Sequence, residues 1–364
     1  MSLELLLGLA VFFYILQVGR NLAALRHLRD DVDESRLPFV SVVVAARDEE
    51  ENIGECLTSL LDQSYPKDKF EIIVVNDHST DGTEGICLAF AEKHPQIVYM
   101  KAQEDKMIRG KANALDQGVR RARGDVVLLT DADCTVPSTW IEWTAKRFAD
   151  KVGIVGGVTI QKASNAFEGM QSLDWAYVLG LAASAVAFGN PLSTIGNNLS
   201  MRKAAYQEVG GYRKIPFSVT EDFMLFQSII KSGQWNYLYP IDPRVLVVSK
   251  PCKTLRELVR QKHRWGKGGL DMKPSGLLIM LIGFSTHALI LGTFAFGSVF
   301  LAATGLMVKC VADYFFLHSV LKRLERPDLL KYFYWFELYF IAYVILLPFI
   351  VFFGGRVVWK ERRY

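Results

Sequence analysis

The sequence predicts an α/β fold, a doubly wound, mostly parallel sheet set between membrane-spanning helices. Three observations predict it. Short continuous apolar runs alternate with helical patterns between residues 36 and about 250. Polar clusters fall at the ends of those runs, where open α/β sheets bind ligands. Long stretches with few or no charges lie on both sides of this region.

Apolar residues make up 51% of the 364, and the mean hydropathy is positive, high for a purely soluble protein. The first apolar run, 3–19, has 17 residues, at the short end of what spans a bilayer. It contains Glu4, lacks Lys and Arg, and is not followed directly by a small-x-small cleavage site. It therefore reads as a retained anchor over 1–22 rather than a signal peptide. Arg20, Arg26 and Arg29 follow it, so the positive-inside rule places the next segment in the cytoplasm.

Within 36–273 the strands read in order. The run 39–45 (FVSVVVA) is of buried-strand type, and 51–61 then carries Ile53, Leu57, Leu60 and Leu61 at helical spacing. A second strand covers 70–75 (FEIIVV), a helix about 83–93, a third strand 97–100, and a fourth 125–130 (DVVLLT). The segment 167–188 is apolar and aromatic. It reads either as a core helix or as a helix lying on the membrane surface.

From 275 to 308 there is no charge at all, more than one tilted helix needs, and Gly292 or Gly297 could mark a turn between two. A further block, 333–353, is broken only by Glu337 and Pro348. The region 275–355 thus holds two or three spans, ahead of a basic tail at 356–364 with Arg356, Lys360, Arg362 and Arg363. An anchor plus three spans would put that tail outside, against the positive-inside rule.

The net charge of +4 is small. Lys and Arg bunch beside the apolar stretches rather than across a folded face, which argues for a membrane and against nucleic acid as partner. The five cysteines include no CxxC and read as free thiols. No histidines have metal-site spacing.

Four motifs carry chemistry. Asp131-Ala132-Asp133 puts two carboxylates at a strand end, suited either to a Mg²⁺ or Mn²⁺ ion against a diphosphate or to capping the next turn. Arg109-Gly110-Lys111 opens a helix, where a cation could join the helix terminus in holding phosphate. Its other reading is a solvated surface lysine. Thr220-Glu221-Asp222 precedes an apolar helical run and reads either as a cap with first-turn acids or as the source of a catalytic base. Thr254-Leu255-Arg256-Glu257 has the capping-box pattern. The helix it starts projects Gln261, Arg264 and Trp265 from one face. They suit a diphosphate with a stacked ring, or a membrane interface, or both.

Taken together these residues resemble the family 2 glycosyltransferases, in the membrane-bound branch of cellulose, chitin and hyaluronan synthases and ceramide glucosyltransferase. The resemblance rests on Val75-Asn76-Asp77-His78-Ser79-Thr80-Asp81-Gly82-Thr83, the DxD at Asp131 and Asp133, the TED at 220–222, and Gln261-Lys262-His263-Arg264-Trp265. They stand in the family's order, with Asp222 and Gln261 39 positions apart, and cover about 40–270.

The resemblance implies a GT-A type, nucleotide-diphospho-sugar transferase fold over 36–273, ending in an interfacial QxxRW helix, and inverting transfer of a hexosyl group from a UDP- or GDP-sugar. It implies that Asp77 contacts the nucleotide base, with Ala46 and Glu49 lining the same pocket. Lys111 and Asp131 would hold the diphosphate, and Asp133 would ligate Mg²⁺ or Mn²⁺. Asp222 would be the general base, with Glu221 beside it. Gln261, Arg264 and Trp265 would clamp the diphosphate and the acceptor entrance, and Gly196-Asn197-Asn198 would lie beside the sugar. Asn76 stands where many members carry a second Asp, which implies a less acidic base pocket. At most four spans are fewer than pore-forming synthases usually need, so a lipid acceptor is expected ahead of a saccharide chain extended with a partner. Two further readings remain open. An inactive membrane scaffold does not explain why every acidic motif is present, and a nucleotidyltransferase would need neither spans nor QxxRW.

Overall fold

The computed structural model describes residues 2–28, 30–216, 218–356, 358, 359, 362 and 363. Arg29 and Lys360, both part of the charge argument for topology, lie outside the described residues. The chain begins with α1 (Leu3–Arg26), β1 (Val40–Ala46), α2 (Ile53–Leu61), β2 (Phe70–Asn76), α3 (Thr83–Lys93) and β3 (Ile97–Lys101). It continues through α4 (Gly110–Arg121), β4 (Val126–Asp131), β5 (Cys134–Thr135), α5 (Trp140–Ala145), β6 (Val152–Gly156), β7 (Thr159–Gln161) and α6 (Ala166–Ala187). After β8 (Leu199–Arg202) come α7 (Lys203–Glu208), α8 (Gly211–Lys214), α9 (Glu221–Lys231), β9 (Asn236–Leu238) and β10 (Val247–Ser249). The last helices are α10 (Leu255–Gly269), α11 (Pro274–Phe296), α12 (Val299–Arg323) and α13 (Phe333–Phe353). These elements form two compact units. One comprises Met1–Leu28, Gln161–Leu192 and Pro251–Tyr364, the other Arg29–Ile160 and Ser193–Lys250.

The second unit is built on a seven-stranded sheet in the order β3-β2-β1-β4-β8-β6-β9. β3, β2, β1 and β4 are mutually parallel, β8 runs antiparallel to both β4 and β6, and β9 is parallel to β6. The expected strand boundaries hold to within a residue. The apolar runs are continuous because both faces are covered. Val42, Val44, Ile72, Val74 and Leu128 meet Ile53, Cys56, Leu57 and Leu60 of α2 in one core. Val43 and Val75, on the opposite face, meet α4 at Gly118. The strands also align at their ends, since Ala46 pairs with Asn76 and Ala45 with Asp131. That register puts the polar residues following three strands in one row.

In the first unit, α1, α11, α12 and the segment Pro327–Phe353 are each long and apolar enough to cross a membrane. The uncharged stretch after residue 274 divides at Gly297-Ser298, one of the two glycine positions expected, and the C-terminal region therefore holds three such helices. The helix α6 is capped by Asn165, which accepts from Glu168 N, and most of its residues are buried. It is a core helix of this unit rather than a surface one. Its Gly180 lies so close to α12 that a Cβ there would stand 2.7 Å from Val320. Tyr14 of α1 and Tyr177 of α6 both donate to Asp313 of α12, at 2.6 and 3.0 Å, and Lys309 pairs with Asp313 and with Glu337 of α13. Ionisable groups in an apolar bundle persist only when paired in this way.

The close approach of α4 to the sheet makes Gly118 sensitive. A Cβ there would collide with Val43 and stand 3.1 Å from Val75. Gly118→Ala should lower unfolding stability by about 1–3 kcal/mol, read as a lower thermal midpoint in detergent. A wild-type midpoint would mean that α4 can draw away from the strands.

Candidate active site

The loop after β1 and the loop after β2 are knitted together by their own polar groups. Asp77 N donates to Ala46 O at 2.8 Å, and Glu49 N donates to Thr83 Oγ1 at 2.8 Å. Thr80 N donates to Asp48 Oδ1 and Gly82 N to Glu50 Oε2, at 2.8 and 2.7 Å, while Glu50 N donates to Asp81 Oδ2 at 3.1 Å. Both loops turn through the left-handed region, at Asp48 (φ 49) and His78 (φ 60). Such backbone persists in non-glycine residues only where the surroundings fix it. The result is a rigid corner holding Asp77, which is buried, beside Ala46 and Glu49. Asn76 Oδ1 accepts from Ser79 N and its Nδ2 donates to Tyr99 Oη, so its side chain also serves the fold.

Asp131 is the last residue of β4, and Cys56 Sγ donates to its carbonyl. Asp133, two residues on, accepts from Ser249 Oγ of β10 at 3.3 Å and from Cys134 Sγ at 3.4 Å. Burial, followed by the charges of Asp131 and Glu49, pushes the Asp133 carboxyl up to about 6. Three acids are thus gathered where their mutual repulsion is felt.

Lys111 answers part of that charge. It sits on the first turn of α4, behind Gly110 with its positive φ of 63°, and its side chain is only 16% exposed. Nζ lies 2.5 Å from Asp131 Oδ1 and 3.7 Å from Glu221 Oε1. Burial opposes its charge, but Asp131 and then Glu221 more than offset this and hold the ammonium above its ordinary range. The reading of Lys111 as a solvated surface residue does not survive.

The TED segment is not a simple cap. Thr220 precedes α9 without a side-chain cap bond, while Glu221 faces Lys111. Asp222 Oδ1 accepts from Phe223 N at 2.8 Å. Gly196 packs directly on Asp222, so that a Cβ there would be 3.0 Å from the Asp222 Cβ and 3.1 Å from Oδ2. The segment 196–198 is itself pinned, because Asn198 Nδ2 donates to Val158 O and Val245 O, and Thr159 Oγ1 donates to Asn197 Oδ1. DxD, Lys111, TED and the Gly196 turn therefore converge in one unit.

Among the described residues no three His, Cys, Asp or Glu side chains are grouped closely enough to hold a metal ion. That fits Mg²⁺ or Mn²⁺ shared with a ligand's phosphates, because such ions commonly take one or two carboxylates and complete their shell from phosphate and water. Asp133, an oxygen ligand crowded by like charge, is suited to that position.

Gln261, Arg264 and Trp265 belong to the first unit, on α10. Thr254 caps α10: its Oγ1 accepts from Glu257 N, and Glu257 Oε2 reaches back to accept from Lys253 N, one residue before the cap. Gln261 Oε1 is buried with no hydrogen-bond partner among the described residues. The Trp265 ring lies 5.2 Å from that of Trp175 on α6. Ser249 and Lys262 were not singled out by sequence reasoning. Ser249 reaches Asp133 from 116 residues away, and no local pattern marks it. Lys262 sits inside the QxxRW motif, at a position the motif leaves open.

Residues 126–354 match Glycosyl transferase family group 2, and residues 41–210 match Glycosyl transferase family 2. With more than half its length matched, the chain belongs to the family 2 glycosyltransferases. It is 28% identical over 278 residues to the poly-β-1,6-N-acetyl-D-glucosamine synthase of Staphylococcus epidermidis, covering 75% of this chain and 63% of that one. It is 27% identical over 272 residues to the β-monoglucosyldiacylglycerol synthase of Nostoc sp., covering 72% and 56%. The chain thus spans less than two thirds of the length of these relatives. A mannosyltransferase from Pyrobaculum calidifontis, solved in complex with GDP-Man and Mn²⁺, matches it with a TM-score of 0.68 and 23% identity, over 97% of this chain and all of that one. That likeness establishes the GT-A fold.

The ammonium at Lys111 generates a direct expectation. Lys111→Met keeps the aliphatic stem but leaves Asp131 and Glu221 without their counter-charge. Calorimetric titration with a nucleoside diphosphate should show at least about tenfold weaker binding, the loss of roughly one charge-assisted contact. Unchanged affinity would remove Lys111 from the diphosphate site.

Proposed function

We infer that this chain transfers a glycosyl group from a nucleotide-diphospho-sugar to a membrane-embedded acceptor, with inversion at the anomeric carbon. The observation that carries this reading is Lys111, set between the end of β4 at Asp131 and the start of α9 at Glu221. One cation thereby links the residues suited to a diphosphate with those suited to proton transfer.

In this reading the corner at Ala46, Glu49 and Asp77 takes the nucleotide base, and Lys111 and Asp131 take the diphosphate. A Mg²⁺ or Mn²⁺ ion bound at Asp133 would neutralise phosphate charge and help the diphosphate depart. Gly196, lacking a side chain, lets the pinned 196–198 turn close on Asp222, and that turn would lie beside the sugar and the acceptor hydroxyl. The acceptor oxygen attacks the anomeric carbon from the face opposite the diphosphate. The new C–O bond forms as the bond to the diphosphate breaks, and Asp222 takes the hydroxyl proton. Lys111 faces Glu221, while Asp222 lies against the 196–198 turn, and this supports Asp222 as the base. The family resemblance assigns Gln261, Arg264 and Trp265 to the diphosphate and the acceptor entrance, and Gln261 Oε1, buried without a hydrogen-bond partner among the described residues, supports a role in ligand binding.

A lipid acceptor is favoured by the four apolar helices and by the likeness to a monoglucosyldiacylglycerol synthase. A processive saccharide synthase is the second reading, favoured by the likeness to poly-β-1,6-N-acetyl-D-glucosamine synthase. Incubating membranes with a panel of UDP- and GDP-sugars and analysing the lipid fraction by mass spectrometry separates them. One added sugar supports the first reading and a ladder the second.

Asp222→Asn should cut turnover by about 10²-fold or more while leaving donor affinity near wild type, because a positioned base acts in the transfer step. If Glu221→Gln lost turnover and Asp222→Asn did not, the base would be Glu221. Excess chelator should abolish transfer and Mg²⁺ or Mn²⁺ restore it, with Asp133→Ala beyond rescue. Full activity in chelator would remove the metal from the scheme.

The catalytic unit is proposed to face the cytoplasm, where nucleotide sugars are made. Cys56, Cys87 and Cys134 are buried and cannot report on this, but Glu92 on α3 is exposed. Glu92→Cys should react with an impermeant maleimide only after cells are opened. Labelling of intact cells would invert the orientation.

A further inference from the structure

The QxxRW helix is held by a buried charge for which the reaction above has no use. Lys262 lies inside the motif, and its side chain is only 2% exposed. Its ammonium pairs with Asp174 of α6, which is fully buried. The same ammonium stands 4.3 Å from the centroid of the Trp265 ring and 5.0 Å from that of Tyr343 on α13. Tyr339 Oη donates to Asp174 Oδ2 at 3.4 Å, and the Tyr339 and Tyr343 rings stack at 5.6 Å, 3° from parallel. Trp175, the neighbour of Asp174, packs on the Trp265 ring. Two adjacent residues of α6 therefore each hold one residue of the motif.

Helix α10 approaches α13 closely on this side. Gly266, one turn beyond Lys262, faces Val351 and Leu347 so tightly that a Cβ would stand 3.0 Å from Leu347 Cδ1. An apolar side chain could fill the place of Lys262 without desolvating a charge, and such replacements are often neutral or stabilising. What an ion pair adds is direction. Carboxylate, ammonium and ring face must align, or the cost of burying both charges is not offset. Here that alignment includes the motif's own tryptophan.

We propose that Asp174 and Lys262 are the positioning pair of the QxxRW segment, fixing the Trp265 ring and the turn of α10 that presents Gln261 and Arg264. The inference rests on the reading of those three residues as the donor and acceptor clamp.

The test compares Lys262→Met, Asp174→Asn and the double variant with Arg264→Ala and Trp265→Ala. Full-length protein in detergent is assayed for donor KM, kcat and thermal midpoint. Each single variant leaves one charge buried without its partner and should lower the midpoint. The double variant removes both charges and should recover the midpoint. Its donor KM should nevertheless stay raised about tenfold, with a smaller change in kcat, and Lys262→Arg should restore KM. Recovery of KM together with the midpoint in the double variant would reduce the pair to a purely structural role and overturn the proposal. So would wild-type KM in the double variant while Trp265→Ala and Arg264→Ala raise it. If those two clamp variants themselves kept wild-type KM, the reading of the segment as a clamp would fall first, and the proposal with it.

Discussion

Like charges do not gather in a partly dry site without a counter-charge, and the catalytic unit is organised around that constraint. Glu49, Asp131, Asp133, Glu221 and Asp222 come from three separate stretches of chain. Parallel pairing in register delivers the first three to one edge of the sheet, as Ala46, Asn76 and Asp131 end in one row. Lys111 then bridges two of the stretches. Even so Asp133 remains crowded enough for its proton affinity to rise. In the proposed reaction a divalent ion carried with a diphosphate would bring further positive charge to this cluster.

The second dependence is rigidity. Asp77 and Glu49 sit on loops that hydrogen-bond to one another more than to the sheet, with two non-glycine residues in left-handed backbone. Asn198 is fixed by carbonyls from two other segments, and this holds the Gly196 turn against Asp222. These loop groups thus hold one another in place before any ligand is bound, so less ordering of the loops has to accompany binding.

Much of this was legible in the sequence, for identifiable reasons. β1, β2 and β4 are buried on both faces, so they are apolar but for Ser41 and Glu71, which bond to each other, and the polar ends, and their limits are read to within a residue. The motifs at their ends are local in sequence, so each could be found by inspection. Helix α6 was ambiguous because an all-round apolar helix looks alike in a core and at a membrane surface. What decided it was Asp313, Val320 and Phe340, lying far along the chain. The same holds for Ser249 against Asp133 and for Lys262 against Asp174. Likewise the bonds of Asn76 to Ser79 and Tyr99 could not be read from its residue type.

The placement of α6 between β7 and β8 in the chain has a practical consequence. The membrane unit takes three separated pieces of sequence, and the middle piece, Gln161–Leu192, interrupts the catalytic one. Cutting away both apolar ends would therefore not release a water-soluble enzyme. The fragment would keep a 22-residue helix whose natural partners, α1, α12 and α13, had been removed. Its bared apolar surface would favour aggregation over solution. During synthesis, likewise, α6 emerges well before α12 and α13, so it must wait for its partners beside the bilayer or under the care of a chaperone.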